Sequence, residues 1–114
     1  MPTTGKISYS DEGSSSECIL CLHGIGGDEK SFEPQIKELS KIFRVISWNM
    51  PGYNGSLTLE DYSFKNLCLS LDEFLSDLNI KNVTLIGQSI GGMLAQEFYF
   101  RNPSKVKALV LIAT

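Results

Sequence analysis

Residues 85–92 read LIGQSIGG and contain Gly87-Gln88-Ser89-Ile90-Gly91. A serine hydroxyl becomes a useful nucleophile when a base takes its proton, a carboxylate orients that base and N–H donors hold the developing oxyanion. The pattern G-x-S-x-G alone is common by chance, and a serine between glycines is usually only a turn. Context sharpens it: here it follows the β-branched run NVTLIGQ (82–88) and opens the apolar segment SIGGMLAQEFYFR (89–101). A strand that turns at once into a helix is the setting of a nucleophile elbow. The tight reversal places Ser89 in a strained backbone conformation, and Cβ atoms at Gly87 or Gly91 would collide across the turn. The helix N-terminus below Ser89 favours developing negative charge.

An oxyanion hole needs two N–H donors. The N–H of Ile90, just after the serine, supplies one. The segment LHGIGGDEKSF (22–32) suits the second, with Ile25 as donor and Gly24, Gly26 and Gly27 letting the backbone approach a bound carbonyl. The acid–base half has no such match. After Ser89 there is no His and no Asp, and the one acid there, Glu97, lies two helical turns along the helix. The only histidine, His23, stands beside the glycine loop.

These groups need a scaffold. KISYS (6–10) alternates as a short strand does, and ECILCLHG (17–24) is a nearly continuous apolar run, as in a strand buried on both faces. DEKSFEPQIKELSK (28–41) reads as a helix with Ser31 as N-cap and Pro34 in its first turn. FRVISWNM (43–50) is a strand and PGYNGS (51–56) a turn-rich loop. Phe64, Leu67, Cys68, Leu71, Phe74, Leu75 and Leu78 recur at helical spacing, predicting a helix over 62–79. Strands at 82–88 and 106–114 flank the helix at 89–101, which Asn102-Pro103 stops. The order β-β-α-β-α-β-α-β implies an α/β fold, a mostly parallel sheet with helices on both faces. The first strand is expected to be antiparallel, since no helix separates it from the second.

The 114 residues suffice for one small domain, and 42% hydrophobic with 20% charged residues is an ordinary globular composition. A net charge of −3 offers no basic patch for nucleic acid or anionic lipid. The start MPTTGKISYSDEGSSS has no apolar core of a secretory signal, and no apolar run nears the roughly 18 residues of a membrane span. Three cysteines suit free thiols in a reducing, cytoplasmic setting. Cys18 and Cys21 form a C-x-x-C, but positions i and i+3 of a strand face opposite ways, and no second pair completes a zinc site. No metal or cofactor is implied.

LHGIGG, WNMPGYNGS and LIGQSIGGMLAQEF…NPSKVKALVLIAT together resemble the α/β-hydrolase superfamily, most nearly its small esterases, enol-lactonases and carbon–carbon bond hydrolases. The likeness runs from about residue 6 onward. It implies a serine hydrolase of ester, lactone or related acyl substrates, with Ser89 as nucleophile and His23 shaping the oxyanion loop rather than replacing the base. A serine at 89 argues against haloalkane dehalogenases and epoxide hydrolases, which use a carboxylate there. Asn54 departs from the glycine usual after Pro-Gly-Tyr, though asparagine also tolerates positive φ. Family order places Asp or Glu and then His after the serine. Residues 1–114 are thus expected to be the N-terminal part of one domain, without its cap and C-terminal part, and inactive alone. The strand at 106–114 is expected to leave an open edge prone to self-association. The alternatives are a non-catalytic half-domain that binds a ligand or partner through its exposed sheet, and an acyltransferase or haloperoxidase-like enzyme sharing the same elbow.

Overall fold

The computed structural model describes residues 3, 4 and 6–113. It forms a six-stranded sheet of β1 (Thr3–Thr4), β2 (Ile7–Glu12), β3 (Cys18–Leu22), β4 (Arg44–Trp48), β5 (Val83–Gln88) and β6 (Val106–Ile112). Three α-helices connect them: α1 (Glu33–Leu39), α2 (Phe64–Asp77) and α3 (Ile90–Arg101). The strand order is β1-β2-β4-β3-β5-β6, with β4, β3, β5 and β6 parallel. The chain is an α/β fold with helices on both sheet faces.

Alternation along the strands explains the unbroken apolar run of β3. Leu20 and Leu22 point to one face, where Ile46, Trp48 and Leu85 meet Leu71 and Phe74 of α2 and Leu94 and Phe98 of α3. Ile19 and Cys21 point to the other, where Val45 and Ile86 meet Phe32 and Ile36 at α1. Cys18 packs toward the first cluster and Cys21 within the second, and all three cysteines are free thiols. Helix α2 follows its apolar spacing closely, and Ser63 caps it by accepting the Asn66 N–H.

Two expectations are corrected. The segment 28–41 is helical only over Glu33–Leu39; its N-cap is Phe32, without a side-chain bond, not Ser31. The Ser31 hydroxyl accepts the Asp28 N–H, and the Asp28 carboxylate accepts the Lys30 N–H. Asp and Ser offered the backbone local partners that compete with helix, so 28–32 is a turn. Pro34 does sit in the first helical turn. The early strand β2 is antiparallel, but its neighbour is β4 rather than β3, the strand that follows it in sequence. A parallel β3–β4 pair already fills the sheet's centre, leaving the outer side of β4 for β2. Within the described residues β6 ends at Ile112; Thr114 lies outside them.

Candidate active site

Because β3, β4 and β5 run parallel, their carboxyl ends lie on one side of the sheet, and the loops 23–32 and 49–57 gather there around residue 89. β5 ends at Gln88 and α3 begins at Ile90, so Ser89 alone makes the reversal. Its backbone adopts φ 55 and ψ −121, a strained conformation for a non-glycine residue. Its N–H donates to the Ile112 carbonyl, tying the turn to β6, and its carbonyl accepts from Gly92 and Met93. The side chain is exposed, and among the described residues its Oγ has no hydrogen-bond partner.

The flanking glycines are required by contact. A Cβ on Gly87 would sit 2.5 Å from the Gly91 carbonyl oxygen and the Gly92 Cα; one on Gly91 would overlap the carbonyls of Leu22 and His23. This packs the start of α3 directly onto the end of β3. A Cβ on Gly24 would press at 3.2 Å on the Gln88 carbonyl and 3.3 Å on Ser89 Cβ, so the glycine loop lies against the serine. Ile25 follows with its side chain 75% exposed, and its N–H meets no acceptor among the described residues. Gly26 turns with φ +84, and the Gly27 N–H closes the turn on the Gly24 carbonyl. The Ile90 N–H lies in the first turn of α3, where no helical acceptor exists. A hydroxyl on a strained turn, with free N–H groups on both sides, can attack a carbonyl and shelter the resulting oxyanion.

His23 is buried and fully engaged. Its Nε2 accepts the Met50 N–H at 3.0 Å, which assigns the proton to Nδ1, donating to the Gly24 carbonyl at 2.8 Å. Burial pushes its pKa down, against the opposing pull of the Gly24 bond and the nearby Asp28 and Glu29 charges. Neither ring nitrogen is available to Ser89 Oγ. Glu97 is committed to Arg101 at 3.0 Å. Asn54 holds φ 35, so the turn accommodates the departure from glycine. Sequence reading missed a polar cluster behind this loop, in which Ser8, Glu29 and Asn49 are buried, Ser56 is half-buried and Asn54 is exposed. These residues are spread along the chain and carry no shared motif. Among the described residues no group of three or more His, Cys, Asp or Glu is arranged to hold a metal.

A family model described as alpha/beta hydrolase fold matches residues 17–114. This chain belongs to the α/β-hydrolase family. Among its relatives, it is 35% identical to the pimeloyl-[acyl-carrier protein] methyl ester esterase of Pseudoalteromonas atlantica, over 84% of this chain and 36% of that protein. In three dimensions it is similar to a marine microorganism esterase, with TM-score 0.89 and 29% identity over 93% of this chain and 41% of that one. It is also similar to an epoxide hydrolase of Bacillus megaterium, with TM-score 0.86 and 25% identity over 92% and 38%. The chain thus spans about two-fifths of the length of these relatives. These relatives include esterases and an epoxide hydrolase, and the fold alone does not choose among such activities. No helix among the described residues is long and apolar enough to cross a membrane.

Proposed function

We propose that this chain carries the nucleophile half of a serine hydrolase acting on esters, lactones or related acyl substrates. The observation that carries this reading is the Ser89 turn: a free, exposed hydroxyl at φ 55, between a strand and a helix, against Gly24. The esterase names among the relatives support it, and a serine rather than a carboxylate at 89 favours acyl over epoxide chemistry. In the reaction Ser89 Oγ attacks the carbonyl carbon, its proton passes to a base, and the oxyanion accepts the N–H groups of Ile25 and Ile90. Collapse of the tetrahedral intermediate expels the alcohol, and water then releases the acid from the acyl-serine. Loss of one oxyanion donor costs about 10²–10³ in rate.

The base and its orienting acid are the groups that residues 1–114 do not offer, since His23 is engaged and Glu97 is paired. In this reading they come from polypeptide beyond Thr114, together with the cap that sets acyl specificity, and the protein works in the reducing cytoplasm. The 114-residue chain by itself then turns over esters negligibly, as triad variants lose several orders of magnitude.

The test has two arms. Coding sequence past the Thr114 codon should hold an in-frame Asp and a later His. The protein it encodes should hydrolyse p-nitrophenyl esters or a lactone in a way that Ser89→Ala abolishes. A stop codon directly after Thr114, or hydrolysis indifferent to Ser89, refutes the reading. The stop codon would favour the non-catalytic half-domain, which the exposed apolar residues of β6 and α3 would then serve as a binding surface. Aminolysis or thiolysis outpacing hydrolysis would identify an acyltransferase instead.

A further inference from the structure

The loop bearing Ile25 is held by more than the Gly27–Gly24 turn. Two groups at the end of β4 grip it: Asn49 Oδ1 accepts the Glu29 N–H at 3.0 Å, and His23 Nε2 accepts the Met50 N–H at 3.0 Å. A third grip comes from the turn at 51–56. Asn54 Nδ2 donates to Glu29 Oε2 at 2.9 Å, although Glu29 is only 6% exposed. A carboxylate out of water is costly unless it is hydrogen-bonded or paired. Among the described residues Glu29 makes no ion pair, and Asn54 supplies the one side-chain hydrogen bond to its carboxylate.

Asn54 is itself fixed. Its backbone sits at φ 35, and its carbonyl accepts the Ser8 hydroxyl at 2.7 Å. Ser8 Oγ in turn accepts from Asn49 Nδ2 at 2.9 Å, and the Ser56 hydroxyl donates to the Asn49 carbonyl at 2.6 Å. A closed polar ring thus runs from the glycine loop through β4 to the 51–56 turn and back. Ser8, Glu29 and Asn49 of this ring are buried and Asn54 closes it at the surface, and a satisfied hydrogen-bond network rigidifies what it joins.

We propose that Asn54 and Glu29 are positioning residues for the Ser89 site. Their amide–carboxylate bond latches loop 24–32 to the 51–56 turn, so that the Ile25 N–H is held beside Ser89 before any substrate arrives. This rests on the reading of Ile25 as an oxyanion donor and adds the device that sets its place. Oxyanion donors work because they need no reorganisation at the moment of reaction.

The latch is tested on the 114-residue chain by three variants. Asn54→Gly deletes the carboxamide and keeps the positive φ free of strain. Asn54→Asp sets a second carboxylate against Glu29. Asn54→Asp combined with Glu29→Gln rebuilds the bond with donor and acceptor exchanged. Amide hydrogen exchange and the ¹⁵N–¹H resonances of Ile25 and Ile90 are followed, with Trp48 fluorescence reporting that each variant is folded. Exchange at the hydrogen-bonded amides of residues 27–31 should quicken about tenfold in Asn54→Gly, as for a lost hydrogen bond. It should quicken further in Asn54→Asp, with the Ile25 resonance displaced and the amides of β5 unchanged. The double variant should return both readouts toward those of the unaltered chain. If Asn54→Asp does not fold, Asn54→Gly and the double variant decide. Unchanged exchange and an unmoved Ile25 resonance in Asn54→Gly, or a double variant as perturbed as Asn54→Asp, overturns the latch. Ester turnover does not enter this measurement, so a failed latch leaves the hydrolase reading standing, and a failed hydrolase reading leaves the exchange result intact.

Discussion

Replacing Gly87 by alanine should be among the most damaging single-methyl changes in this chain. The added Cβ would lie 2.5 Å from the Gly91 carbonyl oxygen and Gly92 Cα and 2.6 Å from the Gly92 nitrogen. All three are backbone atoms of the first turn of α3, and that turn is jammed in its own right, since Gly91 abuts the Leu22 and His23 carbonyls. No flexible side chain can yield, so β5 and α3 must separate. Overpacking of this kind costs about 3 kcal/mol or more. Gly26→Ala is the internal control: nothing lies within 4 Å of its added Cβ, but φ is +84, so only backbone strain of about 1 kcal/mol remains. Equilibrium urea unfolding followed by Trp48, the sole tryptophan and fully buried, reads both. With a slope of about 1.5 kcal/mol per molar urea, the midpoints should fall by about 2 M for Gly87→Ala and by about 0.7 M for Gly26→Ala. Equal midpoints would show that the elbow is not packed as described and would remove the steric reason for its glycines.

Ser89→Gly should stabilise the chain by about 1 kcal/mol, because glycine adopts φ 55 without strain; a lower urea midpoint would mean that Ser89 is not strained. Burial pushes Cys21 up to about 12 and Cys68 up to about 11, so at pH 8 a disulfide reagent should titrate Cys18 first, and three thiols after denaturation; one thiol after denaturation would reveal a disulfide. The His23 pKa is lowered on folding, so the unfolded chain binds the proton more tightly: stability should be full above the unfolded value near 6.5 and fall as pH drops from there toward the folded value. His23→Asn, compared at each pH by urea midpoint, should lose that slope, and an identical slope would sink the assignment. The purified chain should self-associate as concentration rises, through antiparallel pairing of two β6 strands. The sheet's other edge, β1, is only two residues long, whereas β6 exposes Val110, Leu111 and Ile112. Sedimentation velocity should show dimers that Leu111→Lys disperses, and a clean monomer at high concentration would refute the pairing.

Much of this fold was legible because local signals and tertiary demands agreed. The apolar spacing of 64–78 had one helical solution, and Ser63 stood where a cap was needed. The run through β3 spelled burial on both faces, which the sheet provides. The Ser89 turn was legible because a change of period, from two to 3.6, falls on a serine set between glycines. Segment 28–32 was misread because Asp28 and Ser31 favour turn and helix cap alike, and choosing between them takes the contact of the loop with Asn49.

What the sequence by itself determined is therefore the chain's periodicities, its one elbow and the absence of His and Asp after residue 89. Each of these lives within a few residues of backbone or in a simple count. Only the tertiary structure decided which strand β2 joins, which ring nitrogen of His23 carries its proton, and that Asn54 holds Glu29. Those outcomes depend on groups 25 or more residues apart in several cases, brought together by the parallel pairing of β3, β4 and β5. A hydrogen bond acts over about 3 Å of space and leaves no mark on the spacing of its partners along the chain.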